Sequence, residues 1–211
     1  MRSSIFISGK VILMFNDRTE AGIQLSEKLE GYRKSDAVVL AIPRGGVEVG
    51  YEIAKNLNLY LSMLICRKLP YPGNPESGFG AIAEDGSTFI IKRAADALSR
   101  DTISKVKTIQ RKEIRRRVSE LRKDRPFPDI EGRTVILTDD GVAMGSTMSA
   151  AIEMCRNCNA EKVVVAVPVI GKAIEKDIRE LSDELFAVET PVLFQAVAQV
   201  FRALDADARG A

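Results

Sequence analysis

The chain of 211 residues contains no histidine and no tryptophan. Without imidazole, every serine–histidine and cysteine–histidine nucleophilic scheme is excluded, along with the histidine-based zinc sites. Any catalysis must draw on carboxylates, cations, backbone amides or a metal bound through oxygen. Cysteine is scarce, three in all, an odd number that points to a reducing cytoplasm. Two of them form the single pair Cys155 and Cys158. With no second pair this cannot complete a structural zinc site, and it falls near a helix end rather than a helix start, so a structural role is expected. Charge of one sign is also lacking: the net charge is +2, too small an excess to argue for nucleic acid. No apolar run reaches the length of a membrane span. The start, residues 5–15, is apolar but broken by Ser8-Gly9-Lys10 and carries no small-residue cleavage site, so it does not read as a signal peptide. Both common nucleotide-binding glycine motifs, Gly-x-x-x-x-Gly-Lys-Ser/Thr and Gly-x-Gly-x-x-Gly, are absent.

What is present is a chain large enough to bury a sizeable core, read as one domain over 1–211. Its densest chemistry lies in residues 133–151, RTVILTDDGVAMGSTMSAA. Val135-Ile136-Leu137 suits a strand buried on both faces. It ends in Asp139 and Asp140. Gly141, Gly145, Ser146 and Thr147 follow, and then apolar and small residues at helical spacing: Met148, Ala151, Ile152 and Cys155. Asp140-Gly141 between apolar runs also fits a β-hairpin. The Ala- and Met-rich residues after it lack alternation and favour a helix. In a strand–loop–helix unit the loop amides and the helix start make a site for a phosphate.

The pattern recurs upstream. Residues 37–42 read as a core strand running into Pro43-Arg44-Gly45-Gly46, with a helix from about Val47 to Asn56. Gly-Gly allows close approach of backbone to a ligand, and Arg44 can fork onto phosphate oxygens; a tight turn with a solvated arginine is the plainer alternative. A strand over residues 61–66 delivers Arg67 and Lys68 at its end, cations suited to a diphosphate or to plain solvation. Residues 69–80, with three prolines and three glycines, read as a long irregular loop of lid type. A hairpin is expected around Asp85-Gly86. Residues 95–123 form a long amphipathic pattern whose apolar stripe includes Ile109. Its Arg115-Arg116-Arg117 run, interleaved with Glu113 and Glu120 and without aromatics to stack bases, reads as a solvated face. Residues 162–169 make the most apolar strand, followed by a helix over 172–181 and a strand over 184–188. At the start, Asp17 and Glu20 have the spacing of a capping box. Residues 205–211 read as a frayed tail.

Two acidic residues after an apolar strand, then a small-residue loop ending in Gly-Ser-Thr, resemble the phosphoribosyl diphosphate (PRPP) signature of type I phosphoribosyltransferases, in particular their uncharacterised branch. The resemblance implies an α/β fold, a mainly parallel sheet flanked by helices with a small hood element, the hood supplied by residues 17–32 or by the C-terminal stretch 191–201. It implies that Asp139 and Asp140 face the ribose hydroxyls, that Ala143, Met144, Gly145, Ser146 and Thr147 cradle the 5-phosphate, and that Arg44, Gly45, Gly46, Arg67 and Lys68 take the diphosphate. The family usually has Thr where this chain has Met144, so one hydroxyl donor is missing. The implied reaction is displacement of diphosphate from PRPP by a nitrogen nucleophile, with Mg²⁺ held through PRPP and through Asp139 and Asp140 where protein atoms take part. The implied setting is a cytoplasmic homodimer. A PRPP sensor that binds nucleic acid or a protein partner is the alternative from another class.

Overall fold

The structure, a computed structural model, describes residues 4–7, 10–13, 15–194 and 196–202, with side chains from Phe15 onwards except that of Ala198. Residues 205–211 lie outside the described residues. The elements in chain order are β1 (Ser4–Ile7), β2 (Lys10–Leu13), α1 (Arg18–Lys28), β3 (Val38–Ala41), α2 (Gly45–Leu57), β4 (Tyr60–Met63), β5 (Cys66–Tyr71), β6 (Asn74–Ala83), β7 (Thr88–Ile90), α3 (Lys92–Ala95), α4 (Arg100–Arg122), β8 (Thr134–Thr138), α5 (Ser146–Asn157), β9 (Lys162–Val169), α6 (Lys172–Leu181) and β10 (Glu184–Glu189). Strands β10, β9, β8, β3 and β4 form the main sheet in that order, every pairing parallel.

Alternation along these strands decides the layers. Val38, Leu40, Val135, Leu137, Val163 and Val165 point to one face and pack against Met148, Ala151, Ile152 and Cys155 of α5. Val39, Ile136, Val164 and Ala166 point to the other and pack against Val49, Ile53 and Leu57 of α2 and Leu25 of α1. Both faces are covered, which is why the buried stretches of these strands carry no charge, and each large apolar side chain there contributes about 1.5–3 kcal/mol by leaving water. The expected α/β fold with a mainly parallel sheet and flanking helices is the one observed.

Two expectations need correction. Residues 69–80 are not irregular: β5 and β6 pair antiparallel, with register shifts on both sides of Pro70, and β7 completes a three-stranded sheet. β5 is an edge strand, so prolines lacking an N–H are tolerated there, and the irregular register absorbs Pro70. The strand expected over residues 61–66 is in fact two: β4 ends at Met63, and Cys66 already belongs to the antiparallel sheet. The hairpin at Asp85-Gly86 is present, with Gly86 at φ 100°.

The long helical pattern is divided as well. Ser99 caps α4, its side chain accepting from the Thr102 amide at 3.1 Å, while α3 is a separate short turn. Ile109, expected in the buried stripe, is 60% exposed; Val106 and Ile114 carry the contact with Leu69, Phe79 and Ile82. At its far end α4 is tied down by Arg122, whose Nη1 and Nη2 donate to Glu84 at 2.8 and 2.6 Å.

The expected hood joins both candidate segments. Phe15, just before α1, donates its amide to Val200 O at 2.9 Å, and its ring lies 5.5 Å from that of Phe201. With Ala21, Val169 and Val200 these rings make a small apolar cluster at the carboxyl end of β9.

Candidate functional site

β3 feeds α2 and runs outward to β4, whereas β8 feeds α5 and runs outward to β9, so the chain reverses direction across the sheet between β3 and β8. At such a switch point the loops part and leave a crevice beyond the strand ends, the usual ligand site of open α/β sheets. The turns after β3 and β8 are neighbours there. Ile42 N donates to Thr138 O at 2.9 Å. A Cβ placed on Gly46 would lie 2.8 Å from Asp139 Cα, and one on Gly45 would lie 1.8 Å from Asp140 Oδ2. Only glycines let the two turns meet this closely. The Pro43–Arg44 peptide between them is cis.

Both helices open into this crevice without a side-chain cap: α2 starts after Arg44, and α5 starts after Gly145 at φ 75°. In α2 the Gly46 amide donates to Ile42 O and the Val47 amide to Arg44 O, both at 3.1 Å, so what the two helix starts share is the positive end of the helix dipole, brought to this crevice from opposite faces of the sheet. Ser146 is buried, and the Gly145 carbonyl accepts from the Ser149 amide at 2.9 Å. Met144 is 67% exposed and lines a hollow of about 520 Å³ together with Ile90, Ile174 and Ile178. Behind the turn, a Cβ on Gly141 would meet Val169 Cγ1 at 2.7 Å and Val197 Cγ2 at 3.1 Å, which places the hood segment directly against the acidic pair's loop.

Asp139 is half-buried and its Oδ1 accepts the Asp140 amide at 2.8 Å. Burial, reinforced by the neighbouring Asp140 charge, pushes its pKa well above the ordinary carboxylate value, and Arg18 opposes the shift. Asp140 is held by Arg18, whose Nε and Nη2 both donate to Asp140 Oδ2, at 3.0 and 2.7 Å. Sequence reading missed Arg18. Its one available signal was position, immediately after the capping residue Asp17, which accepts from the Glu20 amide at 2.8 Å; nothing in the sequence points from residue 18 to residue 140.

The structure brings together Arg44, Gly45, Gly46, Asp139, Asp140 and the loop 143–147. It separates the other two cations. Arg67 is turned to the α4 side of the antiparallel sheet, where its Nε donates to Gln110 Oε1 at 3.1 Å. Lys68 points to the opposite face and donates to Glu76 O at 2.8 Å. Neither is delivered by a parallel strand end, because β4 has already stopped. Among the described residues no group of three or more Asp, Glu, His or Cys gathers as a metal site. All three thiols are free, and burial raises their pKa values.

A model of the phosphoribosyl transferase domain matches residues 18–204. The chain belongs to the phosphoribosyl transferase family. This phosphoribosyl transferase domain is 39% identical over 194 residues to Rv0571c of Mycobacterium tuberculosis, which is named as a phosphoribosyl transferase; the match takes in 90% of this chain and 43% of that protein. The chain thus spans less than half the length of the curated relative. Among solved structures it is similar to TT1426 from Thermus thermophilus, at 35% identity and a TM-score of 0.74, covering 89% of this chain and 90% of the other. A hypoxanthine phosphoribosyltransferase from Staphylococcus aureus shares the fold at 13% identity and a TM-score of 0.50, over 88% of this chain and 79% of its own.

Proposed function

We propose that this phosphoribosyl transferase domain moves the phosphoribosyl group of PRPP to a nitrogen nucleophile and releases diphosphate. The observation that carries the reading is the convergence of two uncapped helix starts on one acidic pair, with Gly45 and Asp140 in contact. A ligand with two separate phosphoryl groups and a hydroxylated ring between them matches that layout. The α5 start with Ala143, Met144, Gly145, Ser146 and Thr147 would hold the 5-phosphate. Arg44, Gly45 and Gly46 would hold the diphosphate, without the two cations of β5, whose side chains are engaged elsewhere, Arg67 with Gln110 and Lys68 with Glu76 O.

Asp139 and Asp140 would accept hydrogen bonds from the ribose hydroxyls and offset the positive charge that builds on the sugar as diphosphate leaves. Orientation is the larger part of the protein's contribution, since two turns held at fixed spacing align the anomeric carbon with the incoming nitrogen. The two carboxylates, with no third such ligand gathered near them among the described residues, suit Mg²⁺, which keeps waters and substrate oxygens and takes few protein donors. When bound, Mg²⁺ would neutralise the leaving diphosphate.

Calorimetry with PRPP and Mg²⁺ tests the reading. Wild type should bind, and the double substitution Asp139→Asn/Asp140→Asn should weaken binding at least tenfold; equal heats from the two proteins would remove the carboxylates from the site. A panel of free bases scored by diphosphate release then identifies the acceptor. Binding without release from any base would turn the reading towards a PRPP sensor.

A further inference from the structure

Arg18 lies where three parts of the molecule meet. Its guanidinium grips Asp140 Oδ2 through Nε and Nη2, and its Nη1 reaches Glu48 Oε1 of α2 at 3.3 Å. Its Cζ sits 5.8 Å from the centre of the Phe201 ring in the hood. Its Nε would be 2.9 Å from a Cβ on Gly45, so the group lies along the wall of the Arg44–Gly46 turn. The backbone beneath it is firmly placed. Asp17 caps α1, and α1 lies so close to α2 that a Cβ on Gly22 would meet Glu52 Cβ at 2.7 Å.

Arg18 and Asp140 are each about one-fifth exposed, at 20% and 16% of their side chains. A partly buried pair with two donors on one oxygen is directional as well as attractive, which a lysine ammonium cannot reproduce. Both of the arginine's bonds fall on Asp140 Oδ2, and neither falls on Oδ1. The grip therefore fixes the rotation of the carboxylate and leaves Oδ1 for an incoming hydroxyl.

We propose that Arg18 is a positioning residue for ribose recognition: it holds Asp140 Oδ2 so that Oδ1 meets the sugar hydroxyls, and it couples that orientation to the hood through Phe201. The inference rests on the proposed PRPP reading, and it concerns the sugar part of the ligand only. Arg18 acts through Asp140 and makes no direct bond to the diphosphate.

Two partial ligands separate the roles. Ribose 5-phosphate carries the sugar hydroxyls without diphosphate, and Mg²⁺-diphosphate carries the reverse. Titrations of wild type, Arg18→Gln, Arg18→Lys, Asp140→Asn and the Arg18→Gln/Asp140→Asn pair, each with its melting temperature, should show Arg18→Gln weakening ribose 5-phosphate and PRPP by a similar factor of about ten. Mg²⁺-diphosphate should bind Arg18→Gln as it binds wild type. Arg18→Lys should recover only part of the loss, because charge returns without the fork. In the Asp140→Asn background, Arg18→Gln should add little, since the oxygen it orients has lost its charge. An equal loss of Mg²⁺-diphosphate binding, additive losses in the double variant, or unchanged ribose 5-phosphate binding by a folded Arg18→Gln would each overturn the inference while leaving the PRPP reading intact. Failure of wild type to bind PRPP would overturn both.

Discussion

Asp139 is half-buried beside a second carboxylate, and burial first and Asp140 next raise its pKa well above that of a free aspartate. The native state therefore holds the proton more tightly than the unfolded chain, whose aspartates titrate near ~3.9. Below that value both states are protonated and the group contributes nothing. As pH rises from there through the folded pKa, the unfolded state gains by ionising first, so stability falls, and the full loss is present above the folded pKa. Asp139→Asn, neutral throughout, should match wild type in melting temperature near pH 4 and exceed it increasingly towards pH 8. Equal melting curves at pH 8 would show that the native carboxylate is not penalised. Gly45 makes the complementary case. A methyl there would displace the Asp140 carboxylate, whose Oδ2 lies 1.8 Å from the Cβ position, yet alanine suits the first turn of α2. Gly45→Ala should thus weaken PRPP binding at least tenfold by calorimetry with little change in melting temperature, whereas a general packing defect would lower both.

At the scale of elements, the antiparallel sheet β5–β7 is fastened to the end of α4 by a buried ion pair. Arg122 at the end of α4 and Glu84 after β6 are about nine-tenths buried, with side chains 7% and 10% exposed. Glu84 Oε1 also accepts the Ile65 amide at 3.0 Å, and Arg122 donates to Met63 O at 3.2 Å, so the pair ties the β4–β5 junction to both partners. Removing one member leaves an uncompensated buried charge, which costs about 3–5 kcal/mol. Urea unfolding of Glu84→Ala should show a loss of that size, and Glu84→Ala/Arg122→Met should recover part of it. The same sheet explains why residues 69–80 look like a loop in the sequence. Pro70, Pro72 and Pro75 with Gly73, Gly78 and Gly80 have the composition of breakers, but Pro70 lies on the edge strand β5 where the register shifts, Pro72 and Gly73 form the turn, and Pro75 lies in the part of β6 that β7 does not reach. Ile109 departs from expectation for a related reason: helical spacing marks a stripe, and its width depends on what the helix rests against, here a sheet that covers Val106 and Ile114 and stops short of Ile109.

Across the whole molecule, the site exists because β3 and β8 are adjacent and feed helices on opposite faces. A ligand bridging their turns would bind the folded chain and not the unfolded one. Mg²⁺ and PRPP at one hundred times the dissociation constant should therefore add about 2.7 kcal/mol to stability, seen as a higher melting temperature that Asp139→Asn/Asp140→Asn loses at the same concentrations. The basic run on α4 points the other way from a polyanion site. Arg116 and Arg117 are both engaged by Glu113, whose pKa is held down to about 2 by those two arginines.

Composition and period alone determined the alternation of strands and helices, the burial of Val135 to Leu137 on both faces, the capping at Asp17, and the two glycine turns that lead from strand to helix. These are local matters: side-chain shape, missing Cβ atoms and hydrogen bonding within a few residues. Strand order, the contact between Gly45 and Asp140, the turning of Arg67 away from Lys68, and the grip of Arg18 on a carboxylate 122 positions distant were decided only by the folded chain. The reason is geometric, since contacts between remote segments depend on which strands become neighbours, and that choice is made by the packing of two helical layers on one sheet.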